Sequence, residues 1–465
     1  MHDLTGWDRT EAPAPVRIVH LGLGAFARAH QLWYTQHANE TAAPADRWGV
    51  AAFTGRSAAA AAPLAEQGGR YTLLVRSSDG DAPSVVDALV EVHDGADAEV
   101  WRSHLARAEV GVLTLTVTEA GYRRTPAGDL DRHDDDVARD VVRLGEGAPA
   151  VTAPGRLVDG LRARRAADSG PIAIVSCDNL PDNGRVTRRV VLELAGLVDE
   201  SLAGWIEQNV SFVSTMVDRI TPATTAADRA VVRTLTGRDD RSPVVTEPFS
   251  EWVLQGAFPA GRPQWEDAGA VFVDDLEPYE RRKLWLLNAG HSLLAYEGLA
   301  RGLTTVAEAF ADPGCRAALE RLWAEAAEVL PSDVDGYLAE LRTRFANARI
   351  EHRLAQIAKD GSAKLPVRVV AVARARAAAG LPVGRAGADV VAAWIDHLEQ
   401  VDVAASDPGA VTLVDALRGQ GSSVRATLAL DLIAPRLARK DVYARHVAEQ
   451  LAVRSTTTTL AGVRP

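Results

Sequence analysis

The sequence predicts an α/β fold, with a doubly wound parallel sheet in residues 1–270 and a mostly α-helical domain in residues 271–465. Three observations carry this expectation. Short apolar runs alternate with helical stretches through the first half. A glycine-rich turn follows the first run and opens a helix. From about Val271 the period becomes helical, with Gly or Pro between several segments.

Taken in order, residues 16–21, 48–53, 71–75, 110–117, 172–177 and 212–217 read as strands. Most are rich in Val, Ile or aromatics and carry few charges, as strands covered on both faces do. Segments 26–39 and 185–197 fall between them as helices, and Ala58 to Ala62 reads as a helix start. Beyond 271, residues 280–300, 313–329, 334–346, 366–379, 387–399 and 423–451 carry helix periodicity.

After the first strand comes His20-Leu21-Gly22-Leu23-Gly24-Ala25-Phe26-Ala27, a G-x-G-x-x-A. Gly22 permits the tight turn, Gly24 lets a pyrophosphate approach the backbone, and Ala27 allows close packing of helix on strand. The free N–H groups at that helix start are suited to phosphate. This is the pattern of a Rossmann-type dinucleotide site. The second strand lacks the acidic residue that usually holds the ribose of NAD, and runs instead into Thr54-Gly55-Arg56-Ser57. Arg56 can pair with the 2′-phosphate of NADP, stack on adenine, or stand exposed in a loop. The cofactor expectation is therefore NAD or NADP.

The 465 residues are 47% hydrophobic and 24% charged, which excludes disorder and collagen. A net charge of −11 gives no bulk attraction for nucleic acid or an anionic membrane. Two cysteines, Cys177 and Cys315, point to a reducing compartment and are too few for a zinc cluster. The start, MHDLTGWDRTEAPAP, lacks the features of a signal peptide, and no apolar run approaches the ~18 residues of a membrane span. A cytoplasmic protein is expected. Of 51 basic residues only four are lysines, Lys283, Lys359, Lys364 and Lys440. In so Arg-biased a chain a retained Lys can mark a need for an amine that loses its proton.

The strongest constellation runs from Glu280 to His291, just after Pro278. At about 100° per residue, Glu280, Lys283, Asn288 and His291 share an arc of roughly 140° with Leu284 and Leu287. A face mixing leucines with an amine, an amide and an imidazole is buried or half-buried, and buried polar groups need partners or a purpose. One purpose is general base catalysis, because apolar neighbours disfavour the charged amine. The alternative is an internally paired Glu280–Lys283 bridge with a capped His291.

With these residues in hand, the chain resembles the mannitol dehydrogenase family of long-chain polyol and sugar-acid dehydrogenases. The likeness runs through the first glycine turn with Arg28-Ala29-His30, Leu115-Thr116-Val117-Thr118-Glu119, Ser176-Cys177-Asp178-Asn179-Leu180-Pro181 with Asn183-Gly184, and Thr215-Met216-Val217-Asp218-Arg219-Ile220. It continues through Glu247-Pro248-Phe249, the Lys283 to His291 helix, and Asp360-Gly361-Ser362 with Lys364-Leu365-Pro366.

The resemblance implies catalysis without metal in a cleft between the two domains, on a small polyol or sugar acid, by a monomer. It implies Lys283 as general base, Asn179 and Asn288 as donors to the substrate oxygen, and His291 as the orienting imidazole. Glu280 matches a gate for the proton leaving the lysine, Asp218 and Lys364 match substrate-side charges, and Phe26 belongs to the cofactor turn. On the residues alone, Asn179 reads equally as a turn residue, Asp218 as the ion-pair partner of Arg219, and His30 as a packed or capping His. Gln356, eight residues before Lys364, stands where mannitol-oxidising members carry an arginine, and the string from Gln356 to Ser362 is similar to the fructuronate reductase branch. D-mannonate with D-fructuronate is the leading expectation and D-mannitol with D-fructose the second. A nucleotide sensor without turnover has no use for a neutral amine beside two amides. A zinc-dependent polyol dehydrogenase calls for clustered Cys and His ligands.

Overall fold

Along Val16–Leu21 (β1), Val19 and Leu21 enter one core while Ile18 enters a second on the opposite side of the sheet. The computed structural model describes residues 7, 12–55, 58–331, 334–438 and 441–461, and divides into two units, Met1–Glu277 and Pro278–Pro465.

In the first unit the remaining strands are Gly49–Phe53 (β2), Tyr71–Ser77 (β3), Gly80–Val86 (β4), Leu89–His93 (β5), Val112–Leu115 (β6), Ile172–Ser176 (β7), Val210–Asp218 (β8), Val244–Thr246 (β9), Glu251–Gln255 (β10) and Val271–Phe272 (β11). Eight form one sheet in the order β11-β10-β8-β7-β6-β1-β2-β5. The six strands from β8 to β5 run parallel, and β10 joins β8 antiparallel. The chain winds outward through β2 and β5, then returns across β1 to β6, so the order reverses between β1 and β6. In doubly wound sheets that reversal opens a crevice at the carboxyl ends of the strands.

Two layers cover this sheet. On one face, Leu113, Leu115 and Ile174 pack with Leu157, Val190 and Leu194 of the helices Ala153–Ala166 and Asn183–Val198. On the other, Val50, Ala173 and Val175 pack with Leu32, Trp252 and Trp265. Residues 71–75, read as a further strand of the doubly wound sheet, belong instead to a second sheet in the order β4-β3-β9. The expected helix 26–39 is also broken. Helices Ala25–Ala29 and Gln31–Thr41 meet at His30, whose φ of −120° and ψ of −86° are not helical.

The second unit is helical. Its central helix, Ala289–Ala300, is buried all round from Ala289 to Gly298 and packs against Pro313–Ala327 and Ala386–Leu398. Two π-helical segments, Lys283–Asn288 and Pro366–Val370, lie against each other. Pro366 accounts for the second: with no N–H to donate and a ring that crowds the carbonyl four residues back, it favours a widened turn. Among the described residues no helix is long and apolar enough to cross a membrane.

Candidate active site

The carboxyl edge of the large sheet is built around Gly22. Its φ is +103°, and an added Cβ would lie 2.1 Å from the Thr116 carbonyl oxygen, so no side chain fits. Its N–H donates to Phe53 O at 2.9 Å, and the Thr116 hydroxyl donates to Gly22 O at 2.8 Å. The turn is thereby tied to β2 and to the end of β6. Gly24 is extended, with nothing closer than 3.7 Å to a Cβ built on it, which leaves room above the backbone. Ala27 is fully buried, and Phe26 stacks on His30 with ring centroids 5.1 Å apart. His30 itself is packed between Phe26, Tyr34 and Trp252, with Nε2 3.0 Å from Glu251 O. Arg56 lies outside the described residues.

The same edge carries Asn179 and Asp218. The loop after β7 is fixed by its own side chains: Asp178 accepts from Leu180 N at 3.0 Å and from the Tyr122 hydroxyl. Fully buried Asn183 donates to Asp178 O at 3.2 Å and to Thr215 O at 3.0 Å, and accepts from Thr215 N at 2.9 Å. This clamp joins the loop to β8 and leaves Asn179 exposed at its tip. Asp218, the last residue of β8, is 4% exposed. Its neighbour Arg219 donates to Ala29 O at 2.6 Å and Glu247 O at 3.3 Å, and covers the Trp33 ring at 4.7 Å.

On the second unit, Lys283 and Asn288 bound one widened turn, and His291 follows it in the next helix. The expectation of an unbroken α-helix with an arc of roughly 140° is corrected here. Lys283–Asn288 is a π segment, and its i→i+5 bonding places Lys283 and Asn288 nearly in line, with His291 three residues further. Wider turns free carbonyls, and side chains satisfy them here. Trp323 Nε1 donates to Leu286 O at 2.9 Å, while Ser292 Oγ and Arg368 donate to Asn288 O at 3.1 and 3.3 Å. Arg368 also reaches Ser292 Oγ at 3.1 Å. Lys283 is buried, with Glu280 half-buried one turn before it.

His291 is buried against Phe345 and His352, with ring centroids 4.8 and 4.7 Å away. Its Nε2 finds no hydrogen-bond partner among the described residues. Burial first, then the charges of His352, Arg344, Arg368 and Lys283, hold its pKa well below the ordinary imidazole range. Burial pushes His352 down to about 4, with Arg344 acting in the same direction. The ring is a neutral, orphaned donor or acceptor in cationic surroundings. Lys364 is placed differently, with Nζ donating to Lys359 O at 2.6 Å and 3.8 Å from Asp360 Oδ2. Sequence reading missed Trp323 and Arg368, which reach the turn from distant segments, and Arg344 and His352, which act on His291. Asn183 and Tyr122 stood within or beside quoted strings, though their clamping role was not visible there.

Residues 16–267 match the family model of the mannitol dehydrogenase Rossmann domain, and residues 275–461 that of the mannitol dehydrogenase C-terminal domain. The chain is 35% identical over 436 residues to D-mannonate oxidoreductase of Escherichia coli (strain K12), covering 90% of this chain and 86% of that one. It is 33% identical to mannitol 2-dehydrogenase of Cereibacter sphaeroides, covering 93% and 92%. Among solved structures it is similar to Pseudomonas fluorescens mannitol 2-dehydrogenase in ternary complex with NAD and D-mannitol, with TM-score 0.81, 31% identity and coverage of 97% and 95%. With both of its units matched end to end, the chain belongs to the mannitol dehydrogenase family and is an oxidoreductase.

Proposed function

We propose that this enzyme interconverts a secondary alcohol and a ketone on an open-chain sugar acid, D-mannonate and D-fructuronate, using NAD or NADP and no metal at the reacting carbon. The glycine turn at Gly22 and Gly24, with Phe26 and Ala27, holds the cofactor, and Arg56 contacts its adenosine end. The turn fits that role because Gly24 leaves the backbone open to a bulky anion. When bound, the nicotinamide supplies the hydride-accepting carbon.

The protein's own task is then the proton. Lys283, neutral, takes it from the substrate hydroxyl, while the amides of Asn179 and Asn288 donate to the oxygen as negative charge grows there. Two amides stabilise that charge without adding one that would resist product release. His291 orients the substrate through its orphaned Nε2, Glu280 passes the proton on from Lys283, and Asp218 and Lys364 contact the remaining hydroxyls or the acid group.

The observation that carries the sugar-acid reading is the pair of guanidinium groups, Arg344 and Arg368, that act on the buried ring of His291, with Arg368 also reaching Ser292 Oγ at 3.1 Å. A carboxylate gains from such a field and a polyol does not. Relatives of both kinds exist at similar identity, so mannitol with fructose is the second reading. The deciding experiment is a nicotinamide absorbance assay on the purified chain, offering fructuronate, tagaturonate and fructose with NADH and NADPH in turn. A higher kcat/KM for a uronate supports the first reading, and preference for fructose overturns it.

A further inference from the structure

At the edge of the large sheet, Glu91 and His93 stand on the same face of β5, two residues apart. The helix Ala98–Leu105 that follows brings His104 back over them. His93 Nε2 and His104 Nε2 address the same oxygen, Glu91 Oε2, at 3.0 and 2.9 Å. The three ligand-capable atoms all lie within 4.8 Å of one another. We infer that Glu91, His93 and His104 form a binding site for a divalent cation of the zinc class, with two imidazole nitrogens and one carboxylate oxygen as ligands.

The orientation of His104 is the main argument. Its Nδ1 lies 2.8 Å from Val100 O, a carbonyl that can only accept, so Nδ1 carries the proton. In the neutral ring Nε2 is then a bare lone pair pointing at a carboxylate oxygen 2.9 Å away. Two lone pairs at that distance repel unless a positive charge lies between them, either a second ring proton or a metal. Fixing the far nitrogen on a backbone carbonyl is also how metal-bound histidines are commonly held. The second imidazole on the same oxygen favours the metal, because a cation satisfies both rings at once.

The surroundings fit. His104 is 2% exposed and lies edge-on to Phe53, whose ring also contacts His93. The other oxygen, Glu91 Oε1, faces Arg107 at 4.0 Å, which leaves Oε2 for the site. Metal–nitrogen and metal–oxygen bonds of ~2.0–2.2 Å at tetrahedral angles separate ligand atoms by roughly 3.3 Å. The two nitrogen–oxygen separations need to open only slightly, and the partly exposed side of Glu91 and His93 admits water as the fourth ligand. The pattern Glu-x-His followed by a histidine on the next helix sits within fourteen residues of chain, and it pins that helix to the sheet edge.

The test is titration of the chelator-stripped full-length protein with Zn2+ by calorimetry, and with Co2+ by visible absorption. The expected result is one equivalent bound, an intense four-coordinate Co2+ spectrum, and a thermal midpoint that climbs with Zn2+ concentration. Glu91→Gln and His93→Ala, both at partly exposed side chains, should weaken binding by about tenfold or more and abolish the thermal response. His104→Ala also removes a buried ring from the helix contact, so the two partly exposed positions decide. Absence of stoichiometric binding, or equal binding by wild type and His93→Ala, would overturn the site and leave a hydrogen-bonded His–Glu cluster.

Discussion

Lys283 and Asn288 open and close a single π-helical segment, so the amine and the amide lie along one line of the helix surface. A regular α-helix would turn them roughly 140° apart about its axis. In the proposed mechanism this shared line lets both address one substrate oxygen. Replacing Lys283 with Ala should therefore lower kcat by about 10²–10⁴-fold, leave cofactor affinity near wild type, and flatten the rise of oxidation rate with pH. Steady-state kinetics across pH 6 to 10 give the answer, and a variant that keeps its pH-dependent activity removes Lys283 from the base role.

The two glycines of the cofactor turn should separate under mutation. Gly22→Ala drives a methyl to 2.1 Å from the Thr116 carbonyl at a positive φ, where backbone meets backbone and neither yields. A loss above about 2 kcal/mol, read as a lowered thermal midpoint, is expected. Gly24→Ala meets only an ordinary van der Waals contact, Gly22 O at 3.7 Å, in an extended conformation, so the fold should hold. Its KM for NADH or NADPH should instead rise on the order of tenfold, about 1.4 kcal/mol. Equal thermal loss in both variants would mean that Gly24 is structural.

Parts of this molecule were legible in the chain because their cause is local. Runs such as Ile172–Ser176 are apolar throughout since both sheet faces are covered, and that shows in the sequence. The three-residue strand Val244–Thr246 and the exposed, Pro-bearing strand Gly80–Val86 gave no such signal, because pairing with Tyr71–Ser77 holds them. The antiparallel addition of Glu251–Gln255 is likewise a matter of distant register. At the site, residue types around Lys283 could be read but not their angles, since a 3.6-residue period was assumed where the chain widens. Trp323 and Arg368 stabilise that widening from 37 and 80 residues away.

Arg368 has two separable tasks. It holds the Asn288 carbonyl and the Ser292 hydroxyl, and it contributes positive charge beside His291. If the substrate is a sugar acid, Arg368→Gln should raise KM for fructuronate about tenfold to a hundredfold, the worth of a charge-assisted hydrogen bond, and Arg368→Lys should recover part of it. KM for fructose should move little. An equal drop in kcat on both substrates would assign Arg368 to the π turn alone.

Acid sensitivity follows from the buried imidazoles. Burial lowers His20 and His352 from 6.5 to about 4, and His291 lies well below its usual value for the same first reason. Between pH 6.5 and 4 the unfolded chain takes up protons at these three rings that the folded chain refuses, so stability is full above about 6.5 and falls as pH drops. The thermal midpoint should decline progressively from pH 7 to 5, well before most carboxylates titrate. His352→Gln, which removes one of the three rings, should show a shallower decline than wild type. A midpoint unchanged from pH 7 to 5 would mean that these rings accept protons in the folded state, and the neutral His291 that the proposed substrate orientation requires would be lost with it.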